Sequence, residues 1–245
     1  MWRRVLLLQC VFSIAAFAEI GRLAVIDGVA LRSPKGKDRG PCKLGEEIEL
    51  GDKLEVESGN VKLELRDGSV VMLSAGSTLE ITGAAFNDLD RSTFSAFLKI
   101  GSLWASVKKA LGGGTFEVRT ERAVAGVRGT IFRIDADTLV KAASGSDQKK
   151  RVASTVRVVE GTVKVSPTTR TAASLRALAK AKAKAAKGRV QVSGPKEISR
   201  DEWETKFALL QKNQQVIVGD DIWEQAEFDA TVAKDSFAEW IEKHQ

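Results

Sequence analysis

Residues 61–73 have the pattern of two short strands joined by a tight turn, and this pattern restricts the chain to a β-rich fold. Valine and leucine alternate with lysine and glutamate over residues 61–65, which is the period of two that buries one face of a strand. An Asp-Gly pair follows at residues 67–68, and both residue types tolerate the positive φ of a hairpin turn. Residues 70–73 then supply a second apolar strand.

The same pattern recurs along the first two thirds of the chain. Short apolar runs flank a glycine at residues 23–31, 98–107 and 156–165. The four glycines lie at irregular spacing, whereas a solenoid would show a fixed period; they are Gly28, Gly68, Gly101 and Gly161. The sequence therefore predicts a mainly β domain over residues 19–166. We expect a roll or β-helix-like stack of short antiparallel strands and glycine hairpins, with a β-sandwich as the alternative.

The N-terminal segment is typical of a secretory signal peptide. Arg3 and Arg4 precede a short apolar run, and residues 16–18 form an Ala-Phe-Ala cleavage site. We expect cleavage after Ala18 and export to the periplasm or cell envelope. The alternative is an uncleaved anchor, although residues 5–18 are fewer than the roughly 20 that a spanning helix needs. Loss of the two arginines lowers the net charge from +6 to +4, which argues against a nucleic-acid partner.

Beyond residue 166 the composition changes to alanine and lysine, which favour a helix. Residues 167–188 are predicted to be a basic helix or linker, helical over 171–187. At about 100° per residue, four cations fall on one face: Arg176, Lys180, Lys184 and Lys187. This face is a candidate contact surface for an anionic envelope polymer, a membrane surface or an acidic protein region. A solvated linker is the alternative.

Residues 189–245 are predicted to form a β–α–β unit followed by a last helix. The strands are expected at residues 190–193 and 215–218. Between them, Ser199 and Glu202 form a capping box, and the helix that begins there carries an apolar stripe of Trp203, Phe207 and Leu210. The last amphipathic helix is expected over residues 233–243, with Phe237, Trp240 and Ile241 as its apolar side.

Residues that could form a catalytic or metal site are scarce. The one histidine, His244, lies next to the C-terminus, so we expect no Ser-His-Asp or Cys-His nucleophilic arrangement. Acidic pairs at residues 88/90 and 135/137 lack the ligand count of a calcium loop. Cys42 would be the single cysteine after cleavage, which excludes an intrachain disulfide. We therefore expect a non-enzymatic protein without catalytic residues, cofactor or metal.

The most distinctive motif is Arg128-Gly129-Thr130, which lies within strand-forming residues. Strict alternation would place Arg128 on the same face as the apolar residues that follow it, and a buried arginine needs a partner. Glu160 is the candidate carboxylate, because a bidentate pair with it would join two distant strands. Bulges at the neighbouring glycines would instead turn the arginine outward. We predict a structural role for Arg128, Gly129, Thr130, Glu160 and Gly161, and a ligand-binding Arg128 is the alternative.

Together these segments resemble the FecR-like domain, a β-rich module of exported and cell-envelope proteins. The resemblance covers roughly residues 44–165 and rests on the order of residues 65–70, 98–103, 116–134 and 158–163. The family is named for envelope regulators that relay iron-siderophore signals from an outer-membrane receptor to a cytoplasmic sigma factor. The resemblance implies an exported or periplasmic FecR domain protein, here without the cytoplasmic anti-sigma region.

The resulting functional hypothesis is envelope signalling or scaffolding through protein–protein contact. The expected partner is an envelope protein or an anionic envelope polymer, with membrane contact only through an uncleaved signal peptide. The alternative is a carbohydrate- or peptidoglycan-binding envelope protein, which would need aromatic side chains along a groove; Trp104 and Trp223 are its candidates. A degenerate envelope enzyme, with close carboxylates in a cleft, is a third hypothesis.

Overall fold

The computed structural model describes residues 19–87, 90–141, 150–186, 207–229 and 235–245. The predicted signal peptide, the capping box at Ser199 and Glu202, and Lys187 lie outside these ranges. The strands are β1 (Gly21–Ser33), β2 (Gly40–Pro41), β3 (Glu47–Ile48), β4 (Lys53–Leu65), β5 (Val70–Ser74), β6 (Thr78–Asn87), β7 (Asp90–Val107), β8 (Thr115–Arg119), β9 (Ala123–Val127), β10 (Thr130–Lys141), β11 (Lys150–Glu160), β12 (Val163–Pro167), β13 (Ala208–Leu210), β14 (Gln214–Gly219) and β15 (Trp223–Glu227). The helices are α1 (Thr169–Ala186) and α2 (Ser236–His244).

The strands form one hydrogen-bonded network that curls around the main apolar core. One path through it has the order β13-β12-β9-β8-β7-β10-β11-β14-β15, and β4 connects to this path through β5 and β6. The pairs along this path are antiparallel except β7–β8, which is parallel. Phe94, Phe116 and Phe132 lie in the core, with ring centroids 4.6 Å and 6.2 Å apart in succession. The predicted mainly β fold is confirmed.

β7 is the strand that turns the sheet across the core. Its residues up to Ile100 pair with β6 and β8, whereas those from Gly101 onward pair with β5 and β10. Gly101 has a φ of +95°, and a Cβ on it would lie 2.3 Å from Ser77 Oγ. The backbone N–H of Ser102 donates to the same Ser77 hydroxyl at 2.9 Å. Gly101 is therefore a bend within a strand and not the expected hairpin turn.

The other turn glycines also differ in role. Gly28 lies inside β1, opposite Gly59 of β4. Gly161 lies between β11 and β12, which pair with different neighbours and form no hairpin. Gly68, between β4 and β5, is the hairpin turn that was expected. The sequence pattern therefore identifies these glycines as special positions. It does not show where each strand ends, because strand ends depend on pairing with distant segments.

Three features of the C-terminal region agree with expectation and one does not. The helix predicted over 171–187 is present as α1, the strand predicted over 215–218 is present as β14, and the last helix, expected over 233–243, is present as α2. Phe207 and Leu210 were expected on a helix, but residues 208–210 form β13, which pairs with β12. Ala208 and Leu210 are both buried by that pairing, which explains why a strand is favoured over the local helical pattern. β13, β14 and β15 thus extend the same sheet as the preceding strands.

Candidate functional site

The Arg128-Gly129-Thr130 motif forms the turn between β9 and β10. β9 ends at Val127 and β10 begins at Thr130. Gly129 between them has a φ of +63°, in the left-handed region that favours glycine. This residue interrupts the alternation of side chains, so that Arg128 is exposed whereas Thr130 is buried.

The expected ion pair between Arg128 and Glu160 was a wrong prediction. Both side chains are exposed, and no salt bridge joins these two described residues. Arg128 does face outward, as the alternative expected, but Gly129 lies in the connection between β9 and β10 and not at a bulge within a strand. An exposed position also removes the need for a buried carboxylate partner.

The two segments nevertheless meet, through the threonine and the second glycine. Thr130 Oγ1 donates to the carbonyl of Thr162 at 2.9 Å. Gly161 has a φ of +85°, and a Cβ on it would lie 2.8 Å from the Gly129 carbonyl and 2.9 Å from Thr130 Oγ1. The motif therefore joins the start of β10 to the end of β11 by close backbone packing.

A buried arginine that the sequence analysis did not identify lies elsewhere, at Arg91 in β7. Its side chain is fully buried, forms an ion pair with Asp67 and donates to Ser69 Oγ at 3.0 Å. Backbone carbonyls accept two further hydrogen bonds from it: Thr115 O at 3.2 Å from Nε and Lys108 O at 3.1 Å from Nη2. Burial lowers the pKa of Arg91, and the charge of Asp67 opposes that shift.

One signal for this site is present in the sequence, namely the Asp67-Gly68-Ser69 turn. Asp67 accepts hydrogen bonds from the Ser69 N–H at 2.9 Å and from the Ser69 hydroxyl at 2.8 Å. A carboxylate buried in a hairpin turn needs a cation as its partner. Arg91 supplies it because the start of β7 and the residue that follows its end, Lys108, meet at this turn, and this long-range contact is not visible in the sequence.

A polar ladder crosses the outer face of the sheet, on the side away from the main core. It comprises Ser102, Asp135, Arg157 and Gln215, on β7, β10, β11 and β14 respectively. Ser102 Oγ donates to Asp135 at 2.6 Å, Arg157 forms an ion pair with Asp135, and Arg157 Nε donates to Gln215 at 3.0 Å. Asp137 forms an ion pair with Arg122. Both carboxylates of the acidic pair at 135/137 are therefore paired with arginines. The described residues contain no group of three or more His, Cys, Asp or Glu positioned for a metal ion.

The last helix, α2, packs on this outer face next to the polar ladder. A second apolar cluster forms beneath it from Met72, Trp104, Phe237, Trp240 and Ile241. Arg133 makes a bidentate pair with Asp235, at 3.0 Å and 2.7 Å. Asp235 is also the N-cap of α2 and accepts the Ala238 N–H at 2.8 Å. Asp235 therefore caps the start of α2 and, through its ion pair with Arg133, attaches the helix to β10.

This packing bears on the aromatic residues expected of a carbohydrate binder. Trp104 is 5% exposed and lies beneath α2. Trp223 is partly buried against the main core. These two side chains therefore do not line a common groove.

Acid is expected to release α2 from the sheet. Burial on its own would raise the pKa of Asp235, but the Arg133 guanidinium and the Ala238 N–H together hold it below its usual value. A carboxyl group with a lowered pKa stabilises the folded state above its unfolded pKa, and this contribution is lost as the pH falls below about 4. The indole N–H signal of Trp240 in NMR spectra should then shift toward its exposed position.

Asp235→Asn keeps a capping side chain and removes the charge, so it is the matched control. We expect weaker docking of α2 at neutral pH and a smaller change on acidification. Identical acid transitions in the two proteins would show that another carboxylate controls docking.

The predicted contact face lies on α1. Thr171, in the first turn, is fully buried, and the Thr168 hydroxyl donates to the Glu121 carbonyl at 3.0 Å. Arg176 is exposed, and the positions of Lys180 and Lys184 follow it on the same helical face. Lys187 lies outside the described residues. An open cleft of about 470 Å³ adjoins the start of α1, and its walls include Arg119 and Arg170.

Cys42 is half-buried and is a free cysteine among the described residues. Burial, with the nearby carboxylate of Glu46, raises the pKa of Cys42 to about 11. The thiol is therefore protonated and a weak nucleophile at neutral pH.

In the part of the chain that the structure describes, no helix is long and apolar enough to cross a bilayer.

One comparison with known proteins agrees with the sequence resemblance. A family model described as FecR protein matches residues 52–164, which confirms the FecR-like assignment for that segment. Comparison with the curated proteins found no match. Two crystal structures of a proposed anti-sigma factor from Parabacteroides distasonis are similar to this chain. One has 18% identity and a TM-score of 0.47 over 77% of this chain and 64% of that chain. The other has 19% identity and a TM-score of 0.46 over 73% and 61%. The chain thus spans less than two thirds of the length of both.

Proposed function

We propose that this protein is an exported, non-enzymatic FecR-like module that acts in envelope signalling or scaffolding by contact with another protein. The matched segment at 52–164 supports the module and its regulatory class. The proposal includes cleavage after Ala18 and residence in the periplasm or cell envelope. An anionic envelope polymer is the other partner that the experiment below distinguishes.

The observation that carries the proposal is the position of α1 directly after the matched segment. Its first turn is anchored through the buried Thr171 and packs against β12. Beyond that turn, Arg176, Ala177 and Leu178 are exposed, and Leu178 retains 38% of its accessible surface. An anchored helix with an exposed arginine and an exposed leucine is a surface that another protein can bind.

The use of the buried polar groups supports a non-enzymatic role. Arg91 and Asp67 pair with each other, Thr130 bonds to Thr162, and Asp135 is held by arginines. Each of these groups stabilises the fold through its contacts. These buried groups therefore have a structural role, and the proposed protein contact belongs to the exposed elements of the module.

Site-specific photo-crosslinking in the native envelope tests the proposal. A photoreactive residue at position 177 should crosslink to a discrete protein. Lys180→Glu should abolish that crosslink, whereas Lys182→Glu should retain it, because residues two apart lie about 200° around the helix. The two variants carry the same change of charge.

Three outcomes would contradict protein contact through α1. One is the absence of a discrete crosslinked protein. Another is an equal yield from both lysine variants. The third is loss of crosslinking after enzymatic removal of the envelope polymer alone, which would assign α1 to an anionic polymer.

A further inference from the structure

β15 carries a row of backbone hydrogen-bonding groups that no other described strand uses. Among the described strands it pairs with β14 alone. The Gly219 N–H donates to Ile222 O at 2.8 Å, and the Phe228 N–H donates to Asn213 O at 2.9 Å. These two bonds set the phase of the antiparallel ladder, in which alternate residues face the partner strand. Residues 224 and 226 therefore bond to β14, whereas the N–H and C=O groups of Trp223, Gln225 and Glu227 point away from it.

The edge is accessible along its second half. Gln225, Ala226 and Glu227 are exposed. Beside them lies a groove of about 300 Å³ between β13 and the β14–β15 hairpin, with Leu210 and Gln214 in its walls. The side chain of Gln225 continues the inner face of the sheet because it is paired with the buried Val216. An added strand would therefore extend this face and place side chains along the groove.

The edge carries negative charge that the described residues do not neutralise. Glu224 and Glu227 lie on opposite faces of β15, and no described cation forms a salt bridge with either. Edge strands attract further strands unless something blocks them. The negative charge of β15 disfavours the addition of an acidic strand. The edge is not blocked by a proline in β15 or by a register shift in its pairing with β14. Lysine or arginine opposite each glutamate would instead form a favourable cross-strand pair.

We infer that the outward edge of β15 binds an extended, basic segment of a partner protein, which adds to the sheet as a further strand. Backbone hydrogen bonds to Trp223, Gln225 and Glu227 supply the affinity, and the two glutamates select a cationic sequence. A second copy of β15 fits less well, because it would bring further glutamates to an acidic edge. This edge is separate from α1, so the test below and the crosslinking test fail independently.

A synthetic peptide with lysines three residues apart and threonines between them, blocked at both ends, is the probe, because this spacing places a lysine opposite each glutamate. Gln225→Pro removes an outward N–H while residues 224 and 226 keep their bonds to β14, and proline is tolerated at such edge positions. We expect this variant to bind the peptide about tenfold more weakly. Gln225→Ala keeps the N–H and is the matched control, with affinity expected within about twofold of the original. Thermal unfolding of both variants verifies that the sheet is intact.

Two further measurements do not depend on the proline variant. The amide protons of Trp223, Gln225 and Glu227 should exchange with solvent in the free protein and become protected when the peptide binds. Glu224→Gln and Glu227→Gln should each weaken binding by about threefold. The matching peptide with glutamate in place of lysine should not bind.

Several results would overturn the inference. They are undiminished binding to Gln225→Pro, unprotected outward amides in the complex, and equal affinity for the acidic peptide. Absence of peptide binding would do the same. A concentration-dependent dimer that Gln225→Pro abolishes would assign the edge to a second copy of this chain.

Discussion

Replacement of Arg91 by methionine is expected to lower the free energy of unfolding by about 3–5 kcal/mol. Arg91 is fully buried, and its partner Asp67 retains only 7% of its side-chain surface. Without the guanidinium, a buried carboxylate would lose its counter-charge, and the carbonyls of Thr115 and Lys108 would lose a donor. Urea denaturation followed by circular dichroism measures the change.

Two controls separate the buried charge from a general effect of losing an arginine. Arg119→Met removes a side chain that is 55% exposed, so we expect a change within about 0.5 kcal/mol. Adding Asp67→Asn to Arg91→Met should recover part of the lost stability, because the unpaired charge is then absent. A loss below about 1 kcal/mol for Arg91→Met alone would contradict a central role for this pair.

Replacement of Gly161 by alanine is expected to cost about 2–5 kcal/mol. The left-handed backbone contributes roughly 1–2 kcal/mol. The new Cβ would also lie 2.8 Å from the Gly129 carbonyl, and overpacking of this kind costs about 1–3 kcal/mol more. The start of β10 and the end of β11 would have to separate, so the Thr130–Thr162 hydrogen bond should lengthen. Thermal unfolding and the NMR amide signals of both residues report the two effects.

Gly113→Ala is the matched control, because Gly113 has a similar φ of +80° but a Cβ added to it would meet no atom within 4 Å. It should show the backbone cost alone. Equal losses in the two variants would mean that close packing at Gly161 contributes nothing measurable. A larger loss at Gly161 would confirm that the two segments of the motif meet there.

Much of the fold was predictable from local patterns. Alternation over 61–65 and the Asp-Gly turn correctly predict the β4–β5 hairpin, and alanine-rich composition correctly predicts α1. Apolar spacing identifies Phe237, Trp240 and Ile241, which are buried in α2. These features depend on residues close together in the chain, and the sequence displays them directly.

The contacts between distant segments were less predictable. Arg128 was expected to be the buried arginine, but Gly129 turns it outward, and Arg91 has that role. Leu210 was expected on a helix, but pairing with Val163 places it in a strand. The difference lies in sequence separation, because pairing between strands far apart in the chain determines which faces become buried.

The sequence by itself determined the strand-forming segments, the positions of the special glycines and the FecR-like order of motifs. Alternating side chains and left-handed residues act locally, so they can be recognised without a structure. The tertiary structure decided that Arg91 pairs with Asp67, that α2 covers Trp104, and that β15 pairs with β14 alone among the described strands. Each of these outcomes depends on how the sheet curls and which strands become neighbours, and long-range packing determines both.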